Sequence, residues 1–233
     1  MYKITKTGVK VFDNYKDNIL IDKDNIIFNK LSSDKLNKIC SENSEDAITW
    51  NIFKTLQNIN DFNWLKLFAN KINCEFTSYE NINIKLWEKI SPPQKYLKHK
   101  EGNSEIDLII ETNKDVIFCE AKYNSPISLN TKHNASRDQI IRNIEVGSFY
   151  SYNVNKYFYF ILLLYKSSKN NDAIAMLNNY KNSYKEKLST NYDNIKKIEY
   201  ITCKDLIEVL KNIPKNNYSI DNLLNWLKNK NFD

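Results

Sequence analysis

A chain of 233 residues, 42% hydrophobic and 13% aromatic, is long enough to bury one substantial core and too rich in aromatic side chains to be a disordered segment. Its 34 Lys and Arg against 28 Asp and Glu leave a formal charge of +6, a mild excess that points only weakly to a polyanionic partner; a coding bias toward Asn, Lys, Ile and Tyr would supply the same lysines. Cys40, Cys74, Cys119 and Cys203 form no C-x-x-C pair, which excludes a recognisable zinc knuckle or redox motif.

With only His99 and His133 available, a zinc site would have to borrow scattered Cys and carboxylate ligands, whereas Mg²⁺ or Mn²⁺ needs oxygen ligands alone. No long apolar region follows the N-terminus, and the most apolar run, Tyr157 to Tyr165, is far shorter than the ~20 residues that span a bilayer as a helix. A cytoplasmic protein with no membrane contact is expected. Three glycines and four prolines leave no flexible linker, and there is no internal repeat.

In chain order, residues 1–43 read as an N-terminal arm or small hairpin, with two short strands in Ile19 to Phe28 around a DKDN turn. A helix is expected from Ser44 to Ile59, where Asn43 can cap, Glu45 and Asp46 occupy the first turn, and Ile48, Ile52, Phe53 and Leu56 recur at helical spacing. A second helical stretch covers Trp64 to Ile72. Pro92 and Pro93 make Trp87 to Tyr96 read as a loop or a sheet edge. SEIDLIIE from Ser104 and VIFCEAK from Val116 are β-type runs joined by a turn at Thr112 to Asp115. After a polar loop come a helix from Arg137 to Ser151, a buried strand at Tyr157 to Tyr165, a helix at Asp172 to Lys187 and a strand at Lys197 to Thr202. Two further helices follow in 203–233, whose leucines could cover the core or build a dimer interface. The alternation predicts an α/β fold, a central mixed β-sheet flanked by helices, with residues 44–202 as its core.

The chemistry concentrates in the hairpin. If Asn113 and Lys114 form a two-residue loop, counting back along both strands sets Asp107 opposite Glu120, with Cβ atoms about 5 Å apart. Two facing carboxylates repel, and their neighbours Ile106, Leu108, Ile109, Ile117, Phe118, Cys119 and Ala121 make the setting core-like, so a divalent cation is the natural way to satisfy the pair. Lys122 follows on the face of Glu120, placed to orient or deprotonate a water at a phosphate. A carboxylate pair could instead serve as the acid and base of another hydrolase, such as a glycosidase.

Ile106-Asp107 followed on the next strand by Glu120-Ala121-Lys122 resembles the PD-(D/E)XK nuclease superfamily, over roughly Ser44 to Tyr165, with Ile106 in place of the motif proline. The resemblance implies a restriction-endonuclease-like αβββαβ core. It implies a Mg²⁺- or Mn²⁺-dependent endonuclease acting on nucleic acid, with DNA as the expected substrate, in a bacterial restriction, defence or repair role; pairing of two protomers as a homodimer would let both strands of a duplex be cut. It further implies an acidic ligand on the preceding helix, for which Glu45 is the candidate and Glu42 and Asp46 compete. A Gln on the following helix, Gln139, would face the site, with Arg142 and Asn143 one turn on and Arg142 placed to contact a phosphate. The same fold without catalysis, binding DNA or a protein partner, is the alternative; the intact Asp107, Glu120 and Lys122 set speaks against it.

Overall fold

A computed structural model of the chain describes residues 1–59, 61–129, 137–166, 170–190, 192–214 and 218–230. His133 and most of the polar loop before Arg137 lie outside these residues. The fold is α/β. β3 (Asn83–Ile90), β4 (Ser104–Glu111), β5 (Asp115–Lys122), β6 (Tyr157–Leu164) and β7 (Ile195–Thr202) form one sheet in the order β3-β4-β5-β6-β7. The first three strands pair antiparallel and the last two add in parallel, so the sheet is mixed. A separate antiparallel ribbon joins Tyr2–Ile4 (β1) to Lys10–Phe12 (β2).

Helices cover both faces. On one, α2 (Glu45–Asn58), α3 (Asn63–Lys71), α6 (Cys203–Lys211) and α7 (Tyr218–Lys228) pack on Leu108, Ile110, Ile117, Cys119, Ile161 and Leu163. On the other, α4 (Gln139–Asn153) and α5 (Asn171–Lys187) pack on Ile109, Phe118, Phe158, Phe160 and Leu162. The strands of the middle of the sheet are apolar on both sides for this reason, as β6 (YFYFILLL) displays most plainly. Among the described residues no helix is long and apolar enough to cross a membrane.

α2 begins where its chemistry requires, but the cap is Ser44 and not Asn43: the Ser44 hydroxyl accepts from the Ala47 N–H, and Glu45 and Asp46 follow in the positively polarised first turn. At α4 the cap is Asp138, whose carboxylate accepts from the Ile141 N–H at 3.0 Å. That helix approaches the sheet so closely at Gly147 that a Cβ there would stand 2.1 Å from the Phe158 ring.

The arm departs from expectation. Ile19 to Phe28 holds no strand; a 3₁₀ turn at Tyr15–Asn18 precedes it, another at Ile26–Lys30 takes in its end, and α1 (Ser33–Ile39) follows. Local side-chain acceptors win over strand pairing here: Asn14 takes the Lys16 N–H, Asn25 takes the Ile27 N–H, and Asp22 adopts φ 55°. The arm is fastened to α2 by Asn51, which accepts from the Leu20 N–H at 2.8 Å and donates to the Asn18 carbonyl at 3.0 Å. Phe28 packs on Trp50, 4.5 Å between centroids, and Trp50 stacks on Trp87 of β3. The segment before Pro92-Pro93 is a strand at the sheet edge, with the prolines just past its end.

Candidate active site

The site lies where two strands separate. β4 and β5 pair from Glu111↔Val116 to Leu108↔Cys119, and the Thr112 N–H donates to the Asp115 carbonyl across the turn, so the register is the one that sets Asp107 against Glu120. The ladder stops one position short of that pair. In its place the Asp107 carboxylate accepts from the Ala121 N–H at 2.9 Å, a side chain doing what a backbone carbonyl does elsewhere in the sheet. On the opposite edge, β3 breaks stride at the same level: Trp87 adopts φ 57° between the pairs Leu86↔Leu108 and Glu88↔Ile106. A bulky residue in the left-handed region costs roughly 1–2 kcal/mol, and its stacking on Trp50 helps hold it there. The break rotates β4, so that Ile106 belongs to the α4 face while Leu108, two residues on, belongs to the α2 face. Asp107 sits at the pivot between the two layers.

Glu120 is 1% exposed and Lys122 6%, and the Lys122 Nζ lies 2.6 Å from Glu120 Oε1. Gln139, at the start of α4, donates to that same oxygen at 2.6 Å, and Asn143, one turn on, donates to Oε2 at 2.9 Å. Asp107, Glu120, Lys122 and Gln139 are therefore brought together as the sequence suggested. Asn143, one turn on from Gln139 and on the same helix face, joins them; the sequence placed it there without giving it a role.

The carboxylates are electrostatically strained. Enclosure pushes Asp107 well above its ordinary range, the charges of Glu120 and Asp46 push it further, and Lys122 with the Ala121 N–H only partly opposes them. Burial also raises Glu120, against the pull of Lys122 and Asn143, and Glu45 adds to the rise. For Lys122 burial would lower the pKa, but Glu120 and Asp107 outweigh it and hold the group as an ammonium. Between the two roles open to it, donor and base, the surroundings as they stand favour the donor.

Glu45 is near enough for its charge to be felt by Glu120 and Lys122, yet its Oε1 is taken by the Tyr123 N–H at 2.6 Å and by the Ser125 hydroxyl. Of its competitors, Glu42 accepts from the Lys10 N–H at 2.6 Å in the N-terminal ribbon, and Asp46 pairs with Lys35 of α1 at 2.7 Å. Arg142, expected at a phosphate, is turned the other way: it donates to the Gly102 carbonyl at 2.7 Å and lies 3.4 Å from Glu101. Glu101 is buried, and with Arg137 and Glu145 it forms an internal ion network that claims both arginines.

Among the described residues no group of three or more His, Cys, Asp or Glu side chains is disposed around a common point. Asp107 and Glu120 nevertheless fit a hard divalent cation. Both are oxygen donors whose proton affinity is raised by burial, and Mg²⁺ is commonly held by one or two carboxylates, with water and phosphate oxygens completing its shell. No protein-family model, curated protein or solved structure matches the chain.

Proposed function

We propose that the chain is a metal-dependent phosphodiesterase of the PD-(D/E)XK nuclease type, cutting nucleic acid, with DNA the substrate that the resemblance implies. The observation that carries the reading is the convergence of Lys122, Gln139 and Asn143 on Glu120 beside Asp107, at the point where β4 and β5 part. The order α2, β3, β4, β5, α4, β6, with α3 inserted after the first helix, supports the αβββαβ core that the resemblance implies.

A divalent cation, when bound, supplies Lewis acidity toward a phosphoryl oxygen and makes water more acidic. The chain's own residues do the rest. Asp107 and Glu120 present oxygens to the cation, and Gln139 and Asn143 fix the Glu120 carboxylate so that it does not rotate out of place. Lys122 donates from its ammonium to a phosphate oxygen or to the attacking water, which it orients. The apolar flanks of both strands lower the local dielectric and strengthen each of these interactions.

The test is to incubate plasmid DNA, single-stranded DNA and RNA with the protein in Mg²⁺, Mn²⁺, Ca²⁺ or EDTA, beside Lys122→Ala. Cleavage in Mg²⁺ or Mn²⁺ that EDTA abolishes, and that falls about 10²–10⁴-fold in Lys122→Ala, is the expected result. Cleavage in EDTA, or unchanged activity in Lys122→Ala, sinks the reading; tight binding of a nucleic acid with no cleavage in any ion assigns the non-cutting alternative.

A further inference from the structure

Beside the carboxylates stands a second lysine that sequence spacing gave no reason to notice. Lys35 comes from α1, outside the sheet-and-helix core, and its ammonium lies 2.7 Å from Asp46 Oδ1 and 2.9 Å from Glu105 Oε1. It rests 5.3 Å above the Trp87 ring, on the strand that breaks stride opposite Asp107. Asp46 follows Glu45 in the first turn of α2, and Glu105 stands two residues before Asp107 on β4, so both belong to the rim of the site. Lys35 also feels the charge of Asp107, and Asp107 that of Asp46. A cleft of about 830 Å³ opens on Lys35, Trp87 and Glu105, so solvent ions can reach this position.

Two carboxylate oxygens within 3 Å of one cationic centre are a ligand set that a Mg²⁺ or Mn²⁺ ion would accept. Here a tethered ammonium already fills the position. We infer that Lys35 stands in place of a second divalent ion, so that the site holds one ion, on Asp107 and Glu120, and draws a further fixed positive charge, beside that of Lys122, from the N-terminal arm. The inference rests on the metal-dependent reading above and adds its stoichiometry. Phosphodiesterases with two ions clamp both the attacking and the leaving oxygen; in this chain Lys35 takes the second ion's place in the charge balance, at one unit of charge and with no exchangeable water.

Stoichiometry is read directly by calorimetric titration of Mn²⁺ into the full chain, with Mn²⁺ electron paramagnetic resonance as an independent count. The wild type is expected to take one ion and Lys35→Ala two, while Lys35→Arg stays at one and Lys35→Ala with Glu105→Gln returns to one. Should Lys35→Ala not fold, Lys35→Met keeps the apolar stem over Trp87 and serves in its stead. Two ions on the wild type, or one ion on a folded Lys35→Ala or Lys35→Met, overturns the inference and leaves the proposed function standing. No ion on the wild type overturns the metal-dependent reading and the inference with it.

Discussion

Asp107 carries the sharpest consequence at the scale of single residues. Its folded pKa is raised by enclosure, then by Glu120 and Asp46, and a raised acid contributes stability that is complete below its unfolded pKa of about 3.9. That stability is lost as pH climbs through the folded value, because the native state must then hold a charge it cannot solvate. Without a divalent ion, the contribution of Asp107 to wild-type stability should therefore fall as pH rises from about 4, with Asp46 and Glu120 contributing in the same direction and the lowered carboxyl of Glu111 in the opposite one. Asp107→Asn removes the largest part of this slope and still offers an oxygen to the Ala121 N–H. In EDTA at neutral pH the variant should melt higher than wild type, by about 2–4 °C for each kcal/mol of repulsion relieved. Added Mg²⁺ should then raise the wild type and not the variant, since only the state that binds the ion gains from it. Melting curves in EDTA that drop on substitution would mean that Asp107 has a structural partner that the charge argument ignores.

At the scale of elements, Gly147 sets how closely α4 lies on the sheet and hence how Gln139 and Asn143 reach Glu120. An alanine there would gain about 1 kcal/mol of helix propensity, yet its Cβ would fall 2.1 Å from the Phe158 ring and 2.9 Å from that of Phe118, both fully buried. Overpacking of this kind costs about 1–3 kcal/mol or more, so the net expected change for Gly147→Ala is a loss, seen as a lower melting temperature. Trimming the obstacle with Phe158→Leu should recover part of it; an unchanged or higher melting temperature for Gly147→Ala alone would refute the packing argument. What the sequence disclosed follows the same division between local and distant causes. The β4–β5 hairpin was legible because a two-residue turn fixes register by counting, and Glu120, Lys122 and Asp107 were legible with it. Helices α2, α4 and α5 were legible from apolar spacing. β3 was not, since its strand pattern runs into Pro92-Pro93 and its site-facing residue, Trp87, breaks the alternation. The strands expected in Ile19 to Phe28 were misread because Asn14 and Asn25 accept from backbone N–H groups two residues on and Asp22 accepts from the Asn25 side-chain amide, preferences that hydrophobic patterning does not register. Lys35 was invisible because its partner Glu105 is 70 residues away, and the contact of Arg142 with Glu101 was invisible because Glu101 lies in an irregular connection.

Taken as a whole, the chain returns to its N-terminal arm at Lys230. Just past α7, its ammonium donates to the Glu42 carbonyl, lies 3.3 Å from Asn18 Oδ1 and sits 4.1 Å above the Trp226 ring. Burial pushes its pKa down to about 8; Glu42 opposes the shift and Lys10 reinforces it. The sign of the linkage follows from proton counting. Between pH 8 and 10.5 the unfolded chain holds the proton that the folded chain has released, so raising pH through this window favours folding. Below pH 8 both states are charged and the full desolvation penalty is present; above 10.5 both are neutral and it is gone. The size is on the order of 2–4 kcal/mol, at ~1.4 kcal/mol for each unit of pKa difference. Buried thiols such as Cys119 and Cys203, raised by burial, act oppositely as pH passes the unfolded cysteine range, so the useful quantity is the difference between wild type and Lys230→Met. Urea unfolding from pH 7 to 10 should show wild type gaining on Lys230→Met by that amount as the pH rises. A constant difference across the range would mean that Lys230 stays protonated in the folded chain and that its contacts with Asn18 and Glu42 solvate the charge as well as water does.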